Sequence, residues 1–141
     1  MHIFNNTPLT LLNQLTPAEF LAEYWQKKPL LIKQAIPNFG GLLDPNELAG
    51  LACEEEVQSR IVQYKKGKWL LKNGPFDEND FTKLPDKDWT LLVQSVNHHL
   101  TEASDLLAQF NFIPHARLDD LMVSYAPNGG GVGPHFDSYD V

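Results

Sequence analysis

The residues best suited to chemistry lie in positions 129–137, which read GGGVGPHFD. His135 and Asp137 are two positions apart, and on a β-strand the side chains at i and i+2 point to the same face. An imidazole and a carboxylate on one face can bind one metal ion together. Such a pair supplies two of the three ligands of the 2-His-1-carboxylate site that holds non-haem Fe(II). We therefore interpret His135 and Asp137 as candidate metal ligands, and the third ligand, a later histidine, is not in this chain.

The surrounding sequence matters because a His-x-Asp pair alone arises often by chance. Residues 119–126 alternate and are apolar enough to predict a strand. Residues 127–131, Pro-Asn-Gly-Gly-Gly, are typical of a loop in which glycine permits positive φ. The pattern predicts that the metal pair begins a strand beside a flexible, glycine-rich mouth.

These same residues carry a resemblance to a known family. The runs 118–124 and 129–141 resemble the bacterial ribosomal oxygenases, JmjC-type cupin enzymes that hydroxylate an arginine of a large-subunit ribosomal protein. Other similar segments are 25–33, 47–52, 74–76 and 89–98. The resemblance therefore runs from near residue 20 to the end of the chain.

The resemblance implies a role for three residues of this chain. His135 and Asp137 match the first two Fe(II) ligands, and Ser124 matches a strand residue that lines the substrate site. The implied cofactor is Fe(II), with 2-oxoglutarate and O2 as co-substrates. The family's second histidine ligand and its 2-oxoglutarate-binding basic residue are expected downstream of Val141, together with the dimerisation region. We accordingly expect an N-terminal fragment that is inactive alone, cut from a protein that is a homodimer when intact.

The resemblance also implies a fold class, a mainly β fold with α additions (α+β). We expect residues 1–141 to form the N-terminal portion of a single JmjC/cupin domain, an incomplete double-stranded β-helix or jelly roll. In this interpretation about residues 1–115 hold helices, a hairpin and flanking strands. Residues 116–141 then contain the first metal-ligand strands of the barrel.

Local signals predict individual elements upstream of the metal pair. The capping pattern at Thr16-Pro17 starts a helix to Gln26, and Asp44-Pro45 starts another to Ala52. Apolar periodicity and turn residues predict the remaining elements. These are a short strand at 30–32, a hairpin of 60–64 and 68–72, a strand at 89–96 and a helix at 100–110.

Composition bears on partners and location. The net charge of −7 disfavours direct nucleic-acid binding and would attract a basic ribosomal protein. No apolar run approaches the roughly 20 residues needed to span a bilayer, and the N-terminus lacks signal-peptide character. The lone Cys53 fits a reducing compartment. Together these features predict a cytoplasmic protein that does not bind a membrane.

Two alternatives remain open at the sequence level. One is a cupin-type metal-binding domain that acts on a small molecule, since a fold does not by itself set a function. The other is a non-catalytic binding module, in which His135 and Asp137 only form hydrogen bonds. A histidine some tens of residues beyond Val141 would favour the oxygenase.

The adjacent His98 and His99 diverge on any regular element, and the pattern around His115 predicts a loop, so none of these histidines is a predicted ligand.

Overall fold

The computed structural model describes residues 6–138, and these form two compact units. The larger unit comprises residues 42–136. The smaller unit comprises the described residues up to Gly41 together with Asp137 and Ser138. Within the described residues, no helix is long and apolar enough to cross a membrane.

The smaller unit contains a 3-10 helix at Thr10–Leu12 and helix α1 at Pro17–Glu23. A reciprocal capping box starts α1, because the Thr16 hydroxyl accepts a hydrogen bond from the Glu19 amide and the Glu19 carboxylate accepts one from the Thr16 amide. The hydrogen bonds that the Thr16 amide and hydroxyl donate to the Glu19 carboxylate lower the pKa of Glu19. The start of α1 is as predicted, although the helix ends earlier than Gln26.

The larger unit is built around one antiparallel sheet of four strands in the order β2-β1-β3-β4. The strands are β1 Ser59–Lys65, β2 Lys68–Asn73, β3 Trp89–Val93 and β4 Val123–Tyr125. The helices are α2 Pro45–Leu51, α3 Glu78–Thr82 and α4 Thr101–Ala108, with 3-10 helices at Val96–His98 and His115–Arg117. The predicted mixed class, a sheet with several added helices, is confirmed.

One face of the sheet packs against the helices and forms the core. Ile61, Leu91 and Val93 from this face join one buried cluster with Leu48 of α2 and Ala103 of α4. Burying large aliphatic side chains of this kind stabilises each by about 1.5–3 kcal/mol relative to exposure. These core residues determine which face of the sheet is buried against the helices. The strand residues that alternate with them point to the opposite face.

The opposite face of the sheet is called the site face below. Strand register places Ser124 opposite Leu92, Thr90 opposite Val62, and Tyr64 opposite Trp69. Residues paired across two strands project to the same side of the sheet. These positions alternate along each strand with positions that face the core, so all of their side chains lie on the opposite face. The site face is thus defined by Val62, Tyr64, Trp69, Thr90, Leu92 and Ser124.

Most predicted elements are confirmed, with two differences, one in each unit. The hairpin, α2, β3, α4 and a strand within 119–126 form as expected, and α3 was not predicted. The strand predicted at 30–32 is wrong, since no strand is assigned there and Leu31 is 83% exposed. A short apolar run becomes a strand only when a neighbouring strand accepts its backbone hydrogen bonds.

Candidate metal and substrate site

The glycine-rich loop that precedes His135 lies against the sheet. The Asp88 amide donates a hydrogen bond to the Asn128 carbonyl at 2.9 Å, just ahead of β3. Further along, the Thr90 hydroxyl on the site face donates to the Gly131 carbonyl at 3.2 Å. These two contacts direct the loop from the end of β4 across β3.

Close packing explains why this loop contains glycine. A Cβ added to Gly129, whose φ is 74°, would lie 2.2 Å from Asp88 Oδ1. A Cβ at Gly130 would lie 2.2 Å from the Trp89 carbonyl oxygen. The predicted glycine-rich mouth is not open at these two positions, because the space left by the glycines is occupied by this chain's own Asp88 and Trp89.

Gly133 is packed in the same way against β2. Its φ is 76°, and an added Cβ would lie 2.9 Å from both Cε2 and Nε1 of Trp69. The Trp69 indole in turn packs on Tyr64, with ring centroids 4.8 Å apart. Gly133 therefore lies against Trp69, which is itself packed on Tyr64 on the site face.

The orientation of His135 is set by the same glycine. Nδ1 of His135 lies 2.8 Å from the Gly133 carbonyl oxygen. A carbonyl oxygen can only accept a hydrogen bond, so Nδ1 is the protonated nitrogen and donates. In a neutral imidazole the lone pair then lies on Nε2, the nitrogen suited to metal binding.

The strand predicted for His135 and Asp137 is wrong within the described residues. No strand is assigned between residues 126 and 138, and both side chains are exposed. The physical reason is pairing, since among the described residues β1 to β4 pair only among themselves and none pairs with this segment. His135 belongs to the larger unit and Asp137 to the smaller one.

Ser124 lies in the middle of β4, as the resemblance implied for a strand residue. It is exposed and shares the site face with Thr90, which contacts the glycine loop. One residue that anchors this strand escaped the sequence interpretation. Asp120 accepts hydrogen bonds from the Ser95 amide at 2.6 Å and from the Gln94 side chain at 3.2 Å.

In the described part of the chain, the other candidate residues do not assemble a metal site. Within residues 6–138, no three His, Cys, Asp or Glu side chains converge so that they could hold a metal ion. The exposed His98 and His99 line an open groove with Glu54, Glu55 and Glu56. Burial raises the pKa of the Cys53 thiol, and nearby carboxylates raise it further, which lowers its thiolate fraction at neutral pH.

Comparison with known proteins finds clear relatives of this chain. Residues 105–141 match the JmjC domain. The chain is 47% identical over 123 residues to the ribosomal protein uL16 3-hydroxylase of Escherichia coli K12, which covers 87% of this chain. This chain is a relative of the bacterial ribosomal oxygenases. A probable ribosomal oxygenase of Haemophilus influenzae is 42% identical over 142 aligned positions that cover 100% of the chain.

Solved structures of a ribosomal oxygenase agree with this assignment. The Escherichia coli ribosomal oxygenase YcfD superposes with a TM-score of 0.81 at 46% identity, covering 87% of this chain and 34% of that one. Its complex with cobalt and 2-oxoglutarate superposes with a TM-score of 0.79, covering 85% and 33%. The chain spans about a third of the length of the curated ribosomal oxygenases that it matches, 32% and 35%.

Proposed function

We propose that the protein containing this chain is an Fe(II)- and 2-oxoglutarate-dependent oxygenase that hydroxylates a side chain of a large-subunit ribosomal protein. The observation that carries the proposal is the 47% identity to a uL16 3-hydroxylase. A second support is the solved complex of a ribosomal oxygenase with cobalt and 2-oxoglutarate. Cobalt has ligand preferences close to those of Fe(II), so Fe(II) is the proposed metal.

His135 and Asp137 are the proposed metal ligands of this chain. A neutral imidazole nitrogen and a carboxylate are the donor types of the facial site that holds non-haem Fe(II). The hydrogen bond from His135 Nδ1 to Gly133 supports the fit, because it leaves Nε2 as the donor. Iron with 2-oxoglutarate and O2 supplies the oxidising power for insertion of one oxygen atom into a C–H bond. The chain's own residues orient the metal and the substrate.

The proposed substrate is an arginine side chain of uL16, presented to the site face near Ser124. Ser124 is exposed, and it lies on the same face of the sheet as Thr90, whose hydroxyl contacts the glycine loop. The net charge of −7 favours encounter with a basic ribosomal protein, mainly through the association rate. A cytoplasmic location and a homodimeric whole protein belong to the same proposal.

The test is hydroxylation of a uL16 peptide by the protein encoded by the complete reading frame that contains this chain. Mass spectrometry, with Fe(II), O2 and 2-oxoglutarate supplied, should show the addition of one oxygen atom. His135→Ala and Asp137→Ala should each abolish it, since each removes a ligand to the metal. Ser124→Ala should mainly raise KM.

The exposed His98 offers a matched control for the histidine substitution, and His98→Ala should retain activity. Hydroxylation that survives in the Asp137 variant would refute the ligand assignment. A wild-type protein that modifies no basic ribosomal peptide would instead favour the small-molecule cupin or the binding module.

A further inference from the structure

We propose that Trp69 is a positioning residue of the metal site: its indole holds the Gly133 backbone, and the Gly133 carbonyl keeps the His135 proton on Nδ1. This inference rests on the proposed function only in taking the metal to be the group that Nε2 binds. It concerns three residues of the larger unit, Trp69, Gly133 and His135.

Strand β2 contacts the glycine-rich loop through Trp69 and Gly133. Trp69 and Gly133 are far apart in sequence, yet the position of a Cβ on Gly133 lies 2.9 Å from the pyrrole side of the indole, at Cε2 and Nε1. Real Cβ atoms do not approach other heavy atoms so closely, so only glycine fits here. The indole is 43% exposed, so it forms part of the site face and is not a core residue.

The backbone at Gly133 adopts a left-handed conformation. A φ of 76° at this residue is accessible to glycine at little cost. Packing against the indole selects this one conformation from the many that a glycine loop can adopt. The carbonyl of Gly133 is thereby aimed at Nδ1 of His135, at 2.8 Å.

The hydrogen bond to the Gly133 carbonyl determines which nitrogen of His135 is left to bind the metal. A neutral imidazole without a directing partner samples both tautomers, and only one of them leaves the lone pair on Nε2. Metal-binding histidines generally donate their other ring N–H to a carbonyl or carboxylate, and loss of such a partner costs about 10–100-fold in metal affinity. Trp69 acts on this equilibrium through the Gly133 backbone, against which its indole lies.

The test is the tautomer of His135 in the metal-free 141-residue chain, read from imidazole nitrogen shifts by long-range proton–nitrogen NMR. The spectra are recorded well above the histidine titration range, and His135→Gln identifies the signals. Wild type should show His135 mainly protonated on Nδ1. Trp69→Ala should move the signals toward those of the exposed His98 and His99, which serve as internal references.

A matched glycine pair separates this effect from general loop damage. Gly133→Ala should shift the tautomer, since the new methyl group would collide with the indole and the backbone φ would be strained. Gly131→Ala should leave it unchanged, because its Cβ would lie an ordinary 3.6 Å from the indole. The amide spectrum of the core strands verifies that each variant is folded.

A second readout is cobalt(II) affinity of the complete protein. Trp69→Ala should weaken it about tenfold, and Gly131→Ala should not change it. A wild-type His135 protonated mainly on Nε2, or a Trp69 variant with unchanged tautomer and cobalt affinity, would overturn the positioning role. If these results hold but no ribosomal peptide is hydroxylated, the proposed function fails while the positioning of His135 stands.

Discussion

At the scale of single residues, Asp120 has the clearest structural task after the site residues. Its carboxylate accepts hydrogen bonds from both the amide and the hydroxyl of Ser95, at 2.6 and 3.2 Å. Ser95 has a φ of 52°, a left-handed conformation that is unfavourable for a residue with a side chain. Asp120 therefore stabilises the bend after β3 and places the chain that enters β4, which carries Ser124.

Asp120→Ala should lower the free energy of unfolding by about 1–3 kcal/mol, because the Ser95 amide would lose its charged acceptor. Asp119→Ala is the matched control, since Asp119 is exposed and adjacent in sequence. It should change stability by no more than about 0.5 kcal/mol. Urea denaturation followed by tryptophan fluorescence measures both. Equal losses in the two variants would contradict the anchoring role of Asp120.

At the scale of elements, α3 is tied to the edge strand β2 by a charged pair. Lys72 of β2 donates a hydrogen bond to the Asp80 carboxylate of α3. This hydrogen bond, and a second one from the Asp77 backbone, lower the pKa of Asp80 below its usual 3.8. Both groups are close to solvent, so screening keeps the contribution small.

The sign of the pH dependence follows from that lowered pKa. Because the folded state holds Asp80 more strongly ionised, its stabilisation is complete above the usual pKa and is lost as pH falls through the folded pKa. Asp80→Asn should therefore be less stable than wild type at neutral pH, and the difference should vanish in strong acid. Urea midpoints measured across this range test the claim.

Glu78→Gln, in the same helix, is the control. The change in its urea midpoint between neutral and acid pH should be nearly the same as that of wild type. A constant gap between wild type and Asp80→Asn at every pH would show that the asparagine acts through helix geometry and not through ionisation.

At the scale of the whole molecule, β2 is an edge strand of the sheet that the described residues form. It pairs only with β1 among the described residues, and all six of its residues are exposed. Leu70 is 47% exposed and Leu71 is 61% exposed. An apolar edge strand is a template for pairing between molecules, which charged side chains normally discourage.

Leu71→Lys should raise the concentration at which the isolated chain aggregates, because it adds a charge to this edge. Stability should change by no more than about 0.5 kcal/mol at such an exposed position. Light scattering across a concentration series measures the effect. Leu31→Lys is the control, since Leu31 is more exposed, at 83%, but lies outside any strand. Equal gains from both variants would show that net charge, and not the strand edge, limits solubility.

Local interactions explain what could be predicted from the sequence of this protein. The capping boxes of α1 and α2 each involve side chains and amides within three residues of one another, so the start of each helix was predictable. The hairpin was predictable because Lys66 and Gly67 adopt the left-handed pair that a two-residue turn requires. The residue types of the candidate metal pair and the resemblance to ribosomal oxygenases were likewise readable directly from the chain.

Contacts between distant segments decided the rest. A strand exists only where a partner strand completes its hydrogen bonds, which the apolar pattern at 30–32 and the alternation assumed at 135–137 could not reveal. The glycine-rich segment read as a flexible mouth, but its neighbours Asp88, Trp89 and Trp69 are known only once the sheet has formed. Sequence alone therefore determined which groups are available for chemistry. The tertiary structure decided which nitrogen of His135 is presented, because that depends on the carbonyl of a glycine packed against a different strand.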